Sequence, residues 1–269
     1  MNRINKLFDQ KKKNILSIYF TAGYPHLNDT GEILNALQKH GADLIEIGIP
    51  YSDPLADGPV IQQSSMKALQ NGMSIKILFE QLNKFRNSTL EVADAAGDIP
   101  LILMGYLNPV LQFGIEKFCE NAKACGIAGI ILPDLPIYEY ENEYRNIFEK
   151  YDLDFIFLIT PETGVDRVRK IDALSTGFIY AVSSSSITGS DKNMNAQQSY
   201  FQRISEMGLK NEILIGFGIK DNDTFTTACK YAAGAIIGTA YIKAIENSND
   251  IDGDTQQFLN SILQSATSS

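Results

Sequence analysis

The sequence has little with which to hold a metal or to activate a nucleophile through histidine: 2 histidines and 3 cysteines in 269 residues. Cys119, Cys125 and Cys229 are odd in number and lack metal-ligand spacing, and His26 and His40 form no cluster with them, which argues against a structural zinc. Cys119 and Cys125 fall on or just after an expected helix among apolar neighbours, so buried thiols are expected rather than a disulfide, as suits a reducing cytoplasm. Long apolar runs are also missing. Nowhere do about 18 uncharged apolar residues stand together, and Met1 to Lys13 is polar and basic without an apolar core, so neither a membrane span nor a secretory signal is expected. Positive charge is in deficit: 23 Lys and Arg against 32 Asp and Glu give a net charge of -9. Such a field repels nucleic-acid backbones and acidic membranes, leaving neither as an expected partner. A small phosphorylated ligand stays open, because local backbone N–H groups and helix N-termini hold phosphate whatever the global charge.

What the chain does have is alternation. Eight short runs, Ile15 to Phe20, Leu44 to Ile49, Ile99 to Met104, Gly129 to Leu132, Phe155 to Ile159, Phe178 to Val182, Ile213 to Phe217 and Ala235 to Gly238, are apolar on both faces, as strands of a helix-covered parallel sheet read. Between them lie segments with helical spacing, such as Ile33, Leu34 and Leu37, or Phe113, Ile115, Phe118 and Ala122. Asn28 and Asp29 are candidate N-caps, Gly41 and Gly126 candidate C-terminal stops, and Asp221 opens a helix running to Ala232. Eight strand–helix units over this length predict a closed α/β fold, a (β/α)8 TIM barrel in one domain over 1–269, in preference to an open doubly wound sheet. An extra N-terminal helix, about Met1 to Gln10, closes the barrel bottom, and a last helix spans about Thr255 to Ala266. In such a barrel the active site lies at the C-terminal ends of the strands.

Glu46 is an acid inside the otherwise apolar second run. Burial penalises its charged form and raises its pKa, which suits a group that both gives and takes a proton near neutrality. The competing reading is a glutamate paired with a buried base or facing outward, although none of the eight runs contains a basic residue. Asp53 and Asp57 follow on a loop stiffened by Pro50, Pro54, Gly58 and Pro59; either is a turn-former or a second carboxylate whose environment differs from that of Glu46. Gly216 to Ile219 and Ile237 to Ala240 follow the last two runs, where barrels often bind phosphate, and glycine lets backbone donors approach the anion. Ser183 to Asn193 is a polar stretch, either a lid or a solvated loop, and no histidine is placed to activate a serine in it. Tyr19, Tyr106, Ile159, Tyr180 and Phe217 lie at or near run ends, and wall either a flat apolar pocket or only the barrel rim.

Taken in order, these motifs closely resemble the α subunits of tryptophan synthase over nearly the whole chain. The resemblance rests on FTAGYP at Phe20 to Pro25, EIGIPYSDPLADGPVIQ at Glu46 to Gln62, MGYLNPV at Met104 to Val110, LPDLP at Leu132 to Pro136, ITG at Ile187 to Gly189, and the late GFGI and GTA. It implies a lyase that cleaves indole-3-glycerol phosphate by a retro-aldol reaction to indole and glyceraldehyde 3-phosphate, within tryptophan biosynthesis. The indole passes to a β subunit in an α2β2 heterotetramer, with no cofactor in this chain and pyridoxal phosphate in the partner. The family's catalytic carboxylates fall on Glu46 and Asp57. Its phosphate donors fall on Gly189, Gly218, Gly238 and Thr239, its ring contacts on Tyr106, Ile159 and Phe217, and its glycerol-side tyrosine on Tyr180. Asp53, Asn108 and Pro109 correspond to loops facing the β subunit. Three departures stand out: Tyr19 where phenylalanine is frequent, Thr239 where serine is usual, and Ser184 and Ser186 where the lid often carries arginine and glycine. Serine offers no charged fork, so lid closure is expected to differ. A free-standing indole-releasing lyase, a non-catalytic partner-binding barrel and another phosphosugar barrel are the competing readings.

Overall fold

The strands are apolar on both faces because both faces are covered. In the computed structural model, which describes residues 2–91, 99–183, 191–216 and 218–264, every residue of β1 (Ile15–Thr21), β2 (Leu44–Gly48), β3 (Leu101–Met104) and β4 (Gly129–Ile131) is buried. The sheet continues through β5 (Asp154–Phe155), β6 (Leu158–Ile159), β7 (Phe178–Val182), β8 (Glu212–Gly216) and β9 (Gly234–Ile237). All pairings are parallel, and the order is β5-β4-β3-β2-β1-β9-β8-β7-β6.

Nine ladder segments arise from eight runs because the fifth run is split. Its first half pairs with β4 and its second with β7. Between them Ile156 N–H donates to the Ile130 carbonyl at 3.0 Å, and the Phe157 carbonyl accepts from Tyr180 N–H at 3.0 Å. The two ends of the sheet therefore meet along one stretch of chain, which closes the barrel. Rings fill the outside of this seam: Phe155 lies 4.5 Å from Tyr140, 5.0 Å from Phe148 and 4.8 Å from Phe157, centroid to centroid.

The N-terminal helix, Arg3–Gln10, buries Ile4 and Phe8 and is capped by the Asn2 side chain. Asn2 also donates to the Ala128 carbonyl at 2.8 Å, fixing the helix across the strand-entry end of the barrel. Gly41 (φ 103°) and Gly126 (φ 74°) lie just past their helices in left-handed conformations, as the sequence predicts. Asp29 differs from expectation. It precedes the helix Thr30–His40 without capping it, because its carboxylate instead accepts from the backbone N–H of His26 at 3.0 Å and meets the His26 ring at 2.8 Å. The last helix, Ile251–Leu263, begins earlier than expected because Asp250 bonds the N–H of Gly253 and draws that glycine into its first turn.

Asp221 caps the helix Asn222–Tyr231 through a reciprocal pair with Thr224: its carboxylate accepts from Thr224 N–H at 2.9 Å, and Thr224 Oγ1 accepts from Asp221 N–H at 3.2 Å. Replacing Asp221 with alanine is expected to lower stability by about 1 kcal/mol, read as a lower urea midpoint at unchanged slope. An unchanged midpoint would show that the cap adds nothing to this helix.

All three cysteines are free and buried. No helix among the described residues is long and apolar enough to cross a membrane, and no group of three His, Cys, Asp or Glu side chains among them is placed to hold a metal.

Candidate active site

Glu46 is the third of five residues in β2 and is completely buried. In register it faces Tyr19 of β1 on one side and Ile102 of β3 on the other. Ser17 Oγ donates to its Oε1 at 2.8 Å, while Oε2 has no partner among the described residues. Burial dominates and lifts the carboxyl to about 8, partly opposed by the Ser17 hydrogen bond. Among the described residues no buried base neutralises it.

The loop after β2 separates the two aspartates. Asp53 is exposed and accepts from the Ser52 hydroxyl at 2.5 Å, while its carbonyl accepts from Leu55 N–H at 2.9 Å. Asp57 turns inward. Its Oδ2 accepts from the Tyr106 hydroxyl at 3.0 Å, and that hydroxyl in turn accepts from Ala56 N–H at 3.0 Å. Burial raises Asp57 to about 6 against the opposing hydrogen bond from Tyr106. Gln62 Nε2 donates to the Asp57 carbonyl at 2.9 Å and ties the loop to the helix Pro59–Gln70. Two carboxyls thus have environments that separate their protonation, one neutral and one mostly charged at pH 7.

Asp57 opens onto a narrow cleft at the strand-exit end. Tyr19, Tyr180, Gly218, Gly238 and Thr239 line it, together with Ile61, Met104, Ile219 and Ile236. Tyr19 and Tyr180 are buried, and burial holds both phenols well above their ordinary pKa, with the nearby carboxyls adding to the effect. Both rings need glycine opposite them: a Cβ on Gly48 would collide with the Tyr19 hydroxyl, and one on Gly216 with the Tyr180 hydroxyl. The short helix Thr239–Ala244 starts at the cleft, and its first helical bond, from Ile242 N–H to the Gly238 carbonyl, leaves the N–H groups of the first turn without helical acceptors. An anion finds its natural donors there.

The remaining predicted residues divide. Tyr106 is buried and reaches the cleft through Asp57. Ile159 is fully buried in β6 but does not line the cleft. Asn108 is exposed and Pro109 half-buried in the helix Leu107–Phe113 that follows β3. Gly189, Phe217, Ser184 and Ser186 lie outside the described residues. Sequence reading missed Ser17, Ile61, Met104, Ile219 and Ile236. Ser17 had a signal, a hydroxyl inside an aliphatic run, whereas the apolar four resemble any other core residue until the barrel closes around them.

The sequence model of one family, described as "Tryptophan synthase alpha chain", matches residues 5–267. The tryptophan synthase alpha chain of Flavobacterium johnsoniae is 54% identical over 263 residues, covering 97% of this chain and 100% of the relative. That of Phocaeicola vulgatus is 51% identical over 265 residues, covering 98% of each. Among solved structures, tryptophan synthase subunit alpha from Legionella pneumophila superposes with a TM-score of 0.85 at 33% identity over 97% of each chain. A chain of the M. tuberculosis tryptophan synthase in its aminoacrylate-bound form gives 0.82 at 27% identity, covering 97% of this chain and 100% of that one.

Proposed function

The chain belongs to the tryptophan synthase alpha chain family, and from that premise we propose that Glu46 and Asp57 perform the family's cleavage of indole-3-glycerol phosphate in this barrel. The observation that carries the assignment is the pair itself: a largely neutral carboxyl buried in the barrel wall, in register with the cleft residue Tyr19, and a second, more acidic one that lines the cleft.

Cleavage needs a proton on ring carbon C3. Glu46, protonated at neutral pH, supplies it, and positive charge appears on the ring nitrogen. Asp57, ionised, accepts the hydrogen bond of that N–H and stabilises the charge. The Glu46 carboxylate then takes the proton of the side-chain hydroxyl. The C–O bond becomes a carbonyl, the bond to C3 breaks, and its electron pair returns to the ring. Indole and glyceraldehyde 3-phosphate leave, and Glu46 again holds a proton. The ring nitrogen is the electron sink, so the reading assigns no cofactor to this chain. The phosphate would meet the first turn of the helix Thr239–Ala244 together with Gly218, Gly238 and Thr239.

Membership in the family implies a β-subunit partner. The exposed Asp53 and Asn108, with Pro109 and the nine-tenths-exposed Leu55, present a surface suited to it. An α2β2 assembly, pyridoxal phosphate in the partner and a cytoplasmic location complete the proposal.

Indole release from indole-3-glycerol phosphate by the purified chain, with and without a tryptophan synthase β subunit, tests the reading. Slow turnover alone and strong activation by the partner are expected. Fast turnover without the partner would point to a free-standing lyase. The pH profile is a further expectation: kcat/KM should rise as Asp57 ionises near pH 6 and fall as Glu46 loses its proton near pH 8. A profile flat from pH 5 to 9 would remove both assignments.

A further inference from the structure

Ser17 lies two residues before Tyr19 in β1, so their side chains share one face of the strand. Register places Tyr19 opposite Glu46 and Ser17 opposite Leu44, and the Ser17 hydroxyl crosses that diagonal to reach Oε1 at 2.8 Å. Both residues are completely buried. The other aliphatic hydroxyl of this strand, Thr21, pairs with Ser64 at 2.6 Å instead, and the hydrogen bond to the Glu46 carboxyl comes from Ser17. A hydroxyl buried in an aliphatic run costs free energy unless it is hydrogen-bonded, and here its acceptor is the one acid in the strand beside it.

The two oxygens of a carboxyl are equivalent until something distinguishes them. Here one has a fixed donor and the other has no partner among the described residues. The carbonyl oxygen of a neutral acid is the better acceptor, so with Ser17 donating to Oε1 this arrangement favours the proton on Oε2. We propose that Ser17 is a positioning residue for the lyase reaction, anchoring Glu46 through Oε1 so that Oε2 is the oxygen that gives and recovers the proton. The proposal rests on the reading of Glu46 as proton carrier and deepens it.

In Ser17→Ala the carboxyl keeps its place in β2 but loses its anchor, and its charged form loses a stabilising donor. The expected result is a fall in kcat of about 10-fold with KM within about twofold, and an alkaline limb displaced upward by about half a pH unit or more. Ser17→Thr, which keeps the hydroxyl, should recover both the rate and the limb, and thermal unfolding of each variant reports whether the barrel is intact. Because Ser17 acts through Glu46, adding Ser17→Ala to Glu46→Gln should cost nothing further.

Wild-type kcat and an unmoved limb in Ser17→Ala, beside an inactive Glu46→Gln, would overturn the role of Ser17 and leave Glu46 standing. A slower Ser17→Ala with an unmoved limb, or a further loss in the double variant, would reduce Ser17 to packing and overturn it equally. An active Glu46→Gln would overturn the proton-carrier reading, and this proposal with it.

Discussion

Glu46→Gln is expected to cut indole release by about 10³-fold, with substrate binding nearly unchanged, because the amide fills the same space but neither delivers a proton to C3 nor takes one from the hydroxyl. The same substitution should make the protein more resistant to urea at pH 8. A carboxyl whose pKa rises from 4.5 unfolded to about 8 folded binds its proton more tightly in the native state. Its contribution is therefore full below about pH 4.5 and is lost as pH rises toward 8. Glutamine does not titrate, so the variant's advantage should grow across that window to about 2–4 kcal/mol and vanish at its acid end. Urea midpoints at pH 5 and pH 8, measured beside kcat, check both halves. A variant that lost activity and also lost stability at pH 8 would indicate a structural glutamate.

The second large effect is expected at Asp57. With a pKa of about 6 it is mostly ionised at pH 7, it lines the cleft, and in the proposed mechanism its charge stabilises the ring nitrogen as that becomes positive. Asp57→Asn keeps a group able to pair with Tyr106 but removes the charge, and kcat should fall by about 10²-fold or more. The acid limb near pH 6 should disappear with it, while the alkaline limb of Glu46 stays. Tyr106→Phe is the control: it removes the hydroxyl that bonds Asp57 and Ala56 but leaves the carboxylate, so its loss should be smaller. Persistence of the acid limb in Asp57→Asn would assign that limb to another group.

Much of this was legible before any coordinates. Runs apolar on both faces announced a covered parallel sheet, and an acid inside one of them announced a perturbed proton. The split of the fifth run was not legible, because Phe155 to Ile159 reads as one stretch and only closure gives its halves different neighbours. Asp53 and Asp57 were equivalent as loop acids. They part because Tyr106, a residue of the next strand's exit, donates to one of them, a relation 49 positions long that no local pattern contains. Ile159 is buried without lining this cleft for a related reason: a run end marks height along the barrel, and whether a side chain faces the cleft depends on strand rotation.

The uncharged state of the resting Glu46 also bears on how the ligand is captured. The chain carries a net charge of -9, and the expected substrate brings a phosphate that is itself negative. An ionised carboxylate in the wall of the barrel, with no countercharge, would repel that dianion at close range, where solvent screens least. By storing a proton, Glu46 withholds its charge from the approach path. Asp57 already brings one negative charge to the cleft, so the burial that readies Glu46 for chemistry also spares the anion a second, and a rise in pH above 8 should weaken docking as well as turnover.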